Sequence, residues 1–312
     1  MASARDIQSR IKSVQDTMKI TNAMYLISST KVKKARRALT EALPHFEQSE
    51  ELIAEILRDL PELEDRYFGT GEPILGGKKG YLVISGDKGL AGAYNHNILK
   101  FAEGVLQKET DPAVCVVGRL GALALQKLGY AVDRSFIGMA QQPSVERARR
   151  IAAMMCQRFM SGELSEVYVI YTRMEEHGEE AVPRLQKLLP LSAEAFRPGE
   201  GKPQKPQQVN YLPNAGAVLG SIAPNYVTGY LFGALVEAFC SEENARMLAM
   251  KSATDSAAEI AATFAICAFP EIGWLILAIS STAASDAFFI PFLKTIGFAP
   301  AARFFIPSLI IA

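Results

Sequence analysis

The chain has 312 residues, and its 33 basic residues balance its 33 acidic ones, so it carries no net charge at pH 7. Four cysteines far apart, with no CxxC pair, argue against a disulfide framework, and neither they nor the three scattered histidines show metal-ligand spacing. The length allows one or two domains with a sizeable core. We therefore expect neither a metal nor a cofactor, and the charged amphipathic start is not a signal peptide.

The first sixty residues predict one long helix. Apolar and small residues recur with an unbroken 4-3 spacing, which is typical of a helix in a left-handed coiled coil. Ser3 and Asp6 form a capping box, and Pro44 should kink the helix. A helix from about residue 4 to 58 would be about 80 Å long at about 1.5 Å per residue, so it must find a partner. The stripe lies at positions 7, 11, 14, 18, 21, 25, 28, 32, 35, 39, 42, 46, 49, 53, 56 and 60.

Basic residues concentrate on this predicted helix. Residues 1–40 contain nine Lys or Arg and two Asp, and nine minus two gives a local charge of +7 in a neutral chain. The charge fits either a solvated helix face or an acidic partner. Nucleic acid is a weaker alternative, because no aromatic residue interleaves the charges and no nucleic-acid motif is present.

Residues 78–195 predict an α/β domain, because short apolar runs alternate with helical segments. Alternating strands and helices favour a parallel sheet. The predicted strands are Tyr81–Ile84, Ala113–Val117, Tyr130–Ile137 and Glu166–Thr172. The predicted helices are Asn95–Lys108, Leu120–Leu128 and Ser144–Met160.

A glycine-rich segment, residues 85–97 (SGDKGLAGAYNHN), follows the first predicted strand. Glycines before a helix can admit phosphate, but the spacing matches neither GxGxxG nor GxxxxGK[ST]. We favour a tight strand-to-helix turn over a phosphate site. Catalytic candidates are few, because the acidic run that follows the fourth strand has no base–nucleophile pair beside it. That run contains Glu175, Glu176, Glu179 and Glu180.

A second long helix is predicted after a Pro/Gly/Gln linker at residues 197–208, with a start near Pro213 or Pro224. The 4-3 spacing recurs there, and its small residues would let two helix axes approach closely. The stripe contains Val227, Leu231, Ala234, Ala238, Ser241, Ala245 and Leu248. The sequence therefore predicts two long end helices that pack antiparallel, with an α/β domain inserted between them.

Three stretches resemble the gamma subunit of F-type ATP synthase, and they occur in the family's order. They are Met1–Met24 continuing through Lys31–Lys34, then Ser85–Ile98, then Ser241–Asp255. The resemblance covers about residues 1–260. It assigns residues 1–60 to an N-terminal shaft helix, 78–195 to an inserted Rossmann-like domain and 209–260 to a C-terminal shaft helix.

The resemblance implies a non-catalytic central stalk that rotates inside a hexamer of alpha and beta subunits. Its rotation would couple proton or sodium flow to ATP synthesis. The other implied partners are the epsilon subunit and the ring of c subunits, with no nucleic acid and no cofactor. The implied location is the cytoplasmic side of a bacterial cell membrane, as a peripheral protein.

The resemblance also implies contacts with these partners at Met24, Lys31, Lys33, Lys34, Tyr211, Pro213 and Arg246. The lysines follow Met24 in the shaft segment near the acidic loops of beta, which gives the basic helix a partner of the right sign. Tyr211 and Pro213 belong to a foot that faces the c ring, where Leu212 replaces the usual acid. Arg246 would face the N-terminal helix or beta.

The family pattern ends after about residue 260. Residues 261–312 hold 35 apolar residues, only four charges and four prolines, and they lack the family's Arg-Gln and Ile-Thr pairs. We favour a shift of reading frame in the gene near codon 260, which would make this tail an aberrant product. A membrane anchor fits less well, because the longest uncharged run, Ile272–Ser285, is shorter than the roughly 18 residues of a spanning helix. A buried extension is the third explanation.

Two other functions remain alternatives on the residues alone. One is a nucleotide-binding enzyme built on the α/β domain. The other is a coiled-coil scaffold that binds an acidic partner, nucleic acid included, through the basic helix.

Overall fold

The computed structural model describes residues 4–60, 63–69, 76–174, 181–196 and 211–268. They form two compact units: a larger unit of Lys19–Thr254, and a smaller unit that contains the residues up to Met18 and those from Asp255 onwards. Several predictions lie outside the described residues. These are the cap at Ser3, the four glutamates after the fourth strand, the linker at 197–208 and the tail from residue 269.

The long N-terminal helix forms as predicted. Helix α1 spans Ala4–Asp59 and continues through Pro44, where the expected kink stays a prediction. In the larger unit, every stripe position from Thr21 to Ile56 is buried or half-buried, while most residues between them are exposed. In the smaller unit, the four described stripe positions are half-buried. The last predicted position, Leu60, follows the end of α1 and is 38 % exposed. The 4-3 spacing therefore identifies the packed face of the helix as far as Ile56.

Five strands form one sheet in the order β3-β2-β1-β4-β5. They are β1 (Lys78–Ile84), β2 (Ala113–Val117), β3 (Val132–Phe136), β4 (Leu164–Met174) and β5 (Ala181–Leu189). The first four are parallel, as predicted, but β5 was missed and runs antiparallel to β4. Pro183 interrupts its apolar pattern, and a proline is tolerated there because β5 lies at an edge of the sheet.

Four further helices complete the fold: α2 (Tyr94–Leu106), α3 (Arg119–Lys127), α4 (Val145–Met160) and α5 (Ala215–Ala268). Short 3-10 helices lie at Arg66–Phe68 and Ala193–Phe196. Asn214 Oδ1 accepts a hydrogen bond from the N–H of Ala217 at 2.8 Å, so Asn214 caps α5, which starts two residues after Pro213. Pro224, the other predicted start, lies inside the helix.

The sheet separates two hydrophobic cores. Tyr81 and Val83 of β1 pack on the side of α2 and α3, whereas Leu82 and Ile84 pack on the side of α4, α5 and α1. Because α5 shares this second core with both the sheet and α1, every residue from 227 to 243 is buried or half-buried. Among the described residues, no helix combines the length and the apolar composition needed to cross a membrane.

The predicted stripe on α5 fails at its last position. Its first six residues are buried or half-buried, but Leu248 is 59 % exposed. The buried positions at this level are Glu243, Arg246 and Met250. Apolar periodicity does not mark a glutamate or an arginine as buried. The predicted stripe therefore follows an exposed face of α5 at Leu248.

Helices α1 and α5 run antiparallel in the larger unit, as predicted. As the residue number increases along α1, the number of the partner residue decreases. The partner residues lie on α5 or just before it. The paired residues are Thr21 with Thr254, Lys31 with Glu243, Phe46 with Gly229, and Asp59 with Tyr211. At the third pair, a Cβ atom added to Gly229 would lie 2.5 Å from Phe46 Cγ, so a glycine is needed for this approach.

We expect Gly229→Ala to destabilise the chain by about 1–3 kcal/mol, because the added methyl group must displace the Phe46 ring. Gly233→Ala is the matched control one turn away, where a Cβ atom would meet nothing within 4 Å. That control should be neutral or stabilising by about 0.5–1 kcal/mol, since alanine is the better helix former. Urea denaturation of both variants is the measurement, and equal effects would contradict the proposed close packing.

Candidate functional site: the junction of the end helices and the glycine loop

Residues from each of the three stretches that resemble one family meet at one place in the larger unit. We call this place the junction, and it consists of Lys31, Glu242, Glu243, Arg246 and the glycine loop (residues 85–93). The loop joins the carboxyl end of β1 to the start of α2, and it lies within the larger unit together with α1 and α5.

The glycine loop starts from a tightly bonded strand end. Ser85 is 1 % exposed; its Oγ donates to the carbonyl of Val117 and accepts from the N–H of Gly121, each at 3.1 Å. A Cβ atom on Gly118 would lie 2.1 Å from the Ser85 carbonyl oxygen, and Gly118 has a φ of +103°. Glycine is therefore required at 118, both by this close approach and by the positive φ.

Side chains of the same domain accept hydrogen bonds from one amide of the glycine loop and from one amide at the start of α3. Asn95 Oδ1 accepts from the N–H of Gly86 at 2.9 Å, and Asp87 Oδ1 accepts from the N–H of Arg119 at 2.8 Å. The second bond lies at the N-terminus of α3, where a carboxylate is favoured as an anion would be. The geometry thus supports the strand-to-helix turn rather than the phosphate site.

A buried ionic cluster joins α5 to α1 and to the loop. Nη1 of Arg246 lies 2.9 Å from Oε1 of Glu243, and Nη2 pairs with Glu242 one turn earlier. The same Nη2 donates to the carbonyl of Gly89 at 3.3 Å, and Lys31 Nζ lies 3.1 Å from Glu243 Oε1. Glu242, Glu243 and Arg246 are each less than 9 % exposed. One guanidinium therefore links two carboxylates and a loop carbonyl.

The pKa values of the two neighbouring carboxyl groups are shifted in opposite directions. Burial raises the pKa of Glu242 above its ordinary value of 4.5, and the partly compensating Arg246 does not reverse this. Burial also acts on Glu243, but Ser28, Arg246 and Lys31 together stabilise its carboxylate and leave its pKa below 4.5. The difference arises because Glu243 has cationic partners from both helices, whereas Glu242 shares only Arg246.

Arg246 and Lys31 were predicted as contact residues from the sequence, but the two glutamates that bind them were missed. The sequence spacing is consistent with this pairing. Glu242 and Glu243 precede Arg246 by four and three residues, which is the spacing of side-chain pairs on one helix face. Charged residues are rarely buried unless they are paired, so their spacing alone did not indicate burial.

The structure brings only two of the seven predicted contact residues together, Lys31 and Arg246. Met24 is half-buried on α1, where Lys33 and Lys34 are exposed. Pro213 is exposed beside Leu212, which is 84 % exposed. The seventh, Tyr211, is half-buried and donates to Asp59 Oδ2 at 3.0 Å; burial and this carboxylate raise the pKa of Tyr211 to about 12.

Fold and junction together define a shaft-type subunit: two long antiparallel helices bonded to an inserted α/β domain. A family model described as ATP synthase matches residues 3–267. The ATP synthase gamma chain of Ruminiclostridium cellulolyticum is 40 % identical over 259 residues, which cover 82 % of this chain and 88 % of that relative. The sodium ion specific gamma chain of Acetobacterium woodii is 32 % identical over 274 residues, with the same coverage. The chain therefore belongs to the family of ATP synthase gamma chains.

Solved structures confirm the fold class. The central stalk and c-ring structure of Tetrahymena thermophila mitochondrial ATP synthase contains a chain with a TM-score of 0.55 and 20 % identity, covering 75 % of this chain and 99 % of that one. The Euglena gracilis mitochondrial rotor gives a TM-score of 0.55 at 13 % identity, covering 88 % and 98 %. The fold is thus an antiparallel pair of end helices with an inserted Rossmann-like domain. Membership of the gamma chain family makes the chain a subunit of a membrane-associated complex.

The opposite pKa shifts predict opposite pH dependences for two neighbouring variants. The folded pKa of Glu243 lies below the unfolded one, so its ionised form stabilises the fold above about pH 4.5, and this stability is lost as the pH falls. Glu243→Gln should cost about 3 kcal/mol at pH 7 and progressively less below pH 4.5.

The pH dependence of stability has the opposite sign for Glu242. The pKa of Glu242 is higher in the folded chain than in the unfolded chain, so stability is lost as the pH rises from about 4.5. Glu242→Gln should therefore be more harmful at pH 4.5 than at pH 7. Denaturant midpoints of both variants and of the unmodified chain across this range are the measurement. Parallel pH profiles for the two variants would contradict the described cluster.

Proposed function

We propose that this chain is the non-catalytic central stalk of an F-type ATP synthase. It rotates within a hexamer of alpha and beta subunits and couples ion flow through the membrane sector to ATP synthesis. Its α/β domain lies beside the epsilon subunit and the c ring, at the cytoplasmic face of a bacterial cell membrane. Membership of the gamma chain family supports this function, and the ionic junction between helices and domain is the observation that carries it.

A rotating stalk must pass torque between its helices and the domain that contacts the membrane sector. In the larger unit, hydrogen bonds and ion pairs join α1 to α5 at several levels, from Thr21–Thr254 to Asp59–Tyr211. The junction then joins both helices to the loop after β1. The buried charges of Glu242, Glu243 and Arg246 favour one arrangement, because any arrangement that left one of them unpaired would be costly.

The exposed basic residues of α1 suit an acidic partner. Lys33 and Lys34 are exposed, whereas Lys31 is partly exposed and pairs with Glu243. We assign Lys33 and Lys34 to the acidic loops of beta, and we assign Met24, more than two helical turns earlier on α1, to the same partner. Arg246 is bonded within the chain, so its contribution to the partner contact is indirect.

The foot contact with the c ring differs in chemistry from a charge pair. Tyr211 is held by Asp59, and Leu212 and Pro213 project beside it as exposed apolar groups. We assign these residues to an apolar contact with the c-ring loops. Both proton and sodium are compatible with the family, since one relative is a sodium ion specific gamma chain.

Reconstitution tests the function. The full chain, mixed with the alpha and beta subunits of a related bacterium, should form a complex that hydrolyses ATP and drives rotation of the chain. Tight stoichiometric binding of ATP or NAD to the chain alone would instead favour the enzyme alternative. Salt-dependent DNA binding that survives competition by alpha and beta subunits would favour the scaffold alternative.

We expect Lys33→Glu/Lys34→Glu to weaken association with the alpha and beta subunits by about tenfold at low salt, because two attractive contacts become repulsive. The difference should shrink as salt screens the charges. Arg149→Glu/Arg150→Glu is the matched control, with the same charge change at two adjacent exposed positions of α4. Titration of labelled chain against the hexamer measures both, and equal weakening would contradict the assignment to α1.

We also propose that the tail arises from a shift of reading frame. The family match ends at residue 267, and the composition changes within a few residues of that point. Sequencing the gene across codons 250–312 tests this proposal. Another frame that encodes a polar helix with Arg-Gln and Ile-Thr pairs would support it, and an intact frame without such an alternative would contradict it.

A further inference from the structure

The strand order of the sheet reverses between β1 and β4, and open α/β sheets form a crevice at such a point. From β1 the chain turns towards β2 and β3 on one side, while β4 and β5 lie on the other side. In open α/β sheets, ligands bind outside the carboxyl ends of the strands at such a reversal of strand order. The glycine loop follows β1 at this edge, and Thr172 lies near the carboxyl end of β4.

Consecutive residues of α5 lie against both sides of this crevice. Ser241 Oγ donates to the carbonyl of Thr172 on β4 at 3.3 Å. A Cβ atom on Gly86 would lie 3.0 Å from Cδ of Glu242, so the glutamate carboxyl group rests directly on the loop backbone. One turn later, Arg246 donates to the carbonyl of Gly89 in the same loop. The chain's own helix therefore stands where related folds hold a ligand.

We propose that Glu242 and Arg246 occupy the crevice between β1 and β4 in place of an external ligand. In this position they are positioning residues, which fix the angle of the α/β domain about the axis of α5. The proposal rests on the proposed central-stalk function and names the contact through which torque passes between domain and helices. Without this contact, hydrophobic packing would hold the domain on α5 but would specify its angle less strictly, because apolar contacts are not directional.

A substitution at Gly86 gives a test in which neither charged residue is replaced. Gly86→Ala places a methyl group 2.9 Å from Oδ1 of Asn95 and 3.0 Å from Cδ of Glu242, so both side chains must shift away from the loop. Gly104→Ala is the matched control on α2 of the same domain, where a Cβ atom meets nothing within 4 Å. Both variants are assembled as full chains into the complete complex with membrane sector.

Two readouts are made on these complexes. Hydrogen exchange of the amides at residues 86–98 should become about tenfold faster with Gly86→Ala, since the loop loses its anchor on α5. Ions pumped per ATP hydrolysed should fall about twofold or more, while ATP hydrolysis continues, because the domain slips relative to the helices. Gly104→Ala should change neither value.

A second pair of variants addresses the charged residues directly. Glu242→Ala should reproduce both effects, and Glu242→Gln should restore part of the pumping ratio because its amide oxygen can still accept from Arg246. This pair decides the question if Gly86→Ala fails to assemble. A pumping ratio and exchange rate equal to those of the unmodified chain, in Gly86→Ala or in Glu242→Ala, would overturn the proposal.

Failure of the proposed function is distinguishable from failure of this contact. A complex in which the unmodified chain does not rotate would contradict the central-stalk function. A rotating complex whose variants keep the normal ratio would contradict only the positioning role of Glu242 and Arg246.

Discussion

The structure depends on one buried charge, the guanidinium of Arg246. Burying a cation is costly unless it is paired, and here two carboxylates and a loop carbonyl share it. Because these partners come from α5 itself and from the loop after β1, and because Glu243 also binds Lys31 of α1, the cluster sets the relative position of three chain segments. Gly86 follows from the same constraint, since a Cβ atom there would lie 3.0 Å from Cδ of Glu242.

The cluster explains why an α/β domain with a nucleotide-type strand order serves a mechanical role here. The amides of Gly86 and Arg119 are bonded to Asn95 and Asp87, and the adjacent crevice is lined by α5. The same architecture that presents a crevice to a ligand thus presents it to a helix of the same chain. Function follows from what fills the site rather than from the fold itself.

Periodicity and strand–helix alternation predicted most of the fold, because packing on one face leaves a regular apolar signal. The bounds of α1 and β2 were predicted closely, and the antiparallel pairing of the end helices was correct. Edge strand β5 was missed, since Pro183 and its charged residues lack that signal. Burial of Glu242 and Glu243 was missed because acidic residues resemble surface residues until their cationic partners are known. The partner contacts on α1 and at the foot depend on other chains, so they remain predictions.

The central claim is that the α/β domain turns together with the paired helices as one shaft. The most direct measurement attaches a probe to the domain, at exposed Gln157 of α4, in the complete complex with immobilised alpha and beta subunits. Addition of ATP should produce sustained rotation of the probe in one direction. ATP hydrolysis without rotation of the probe would contradict the account.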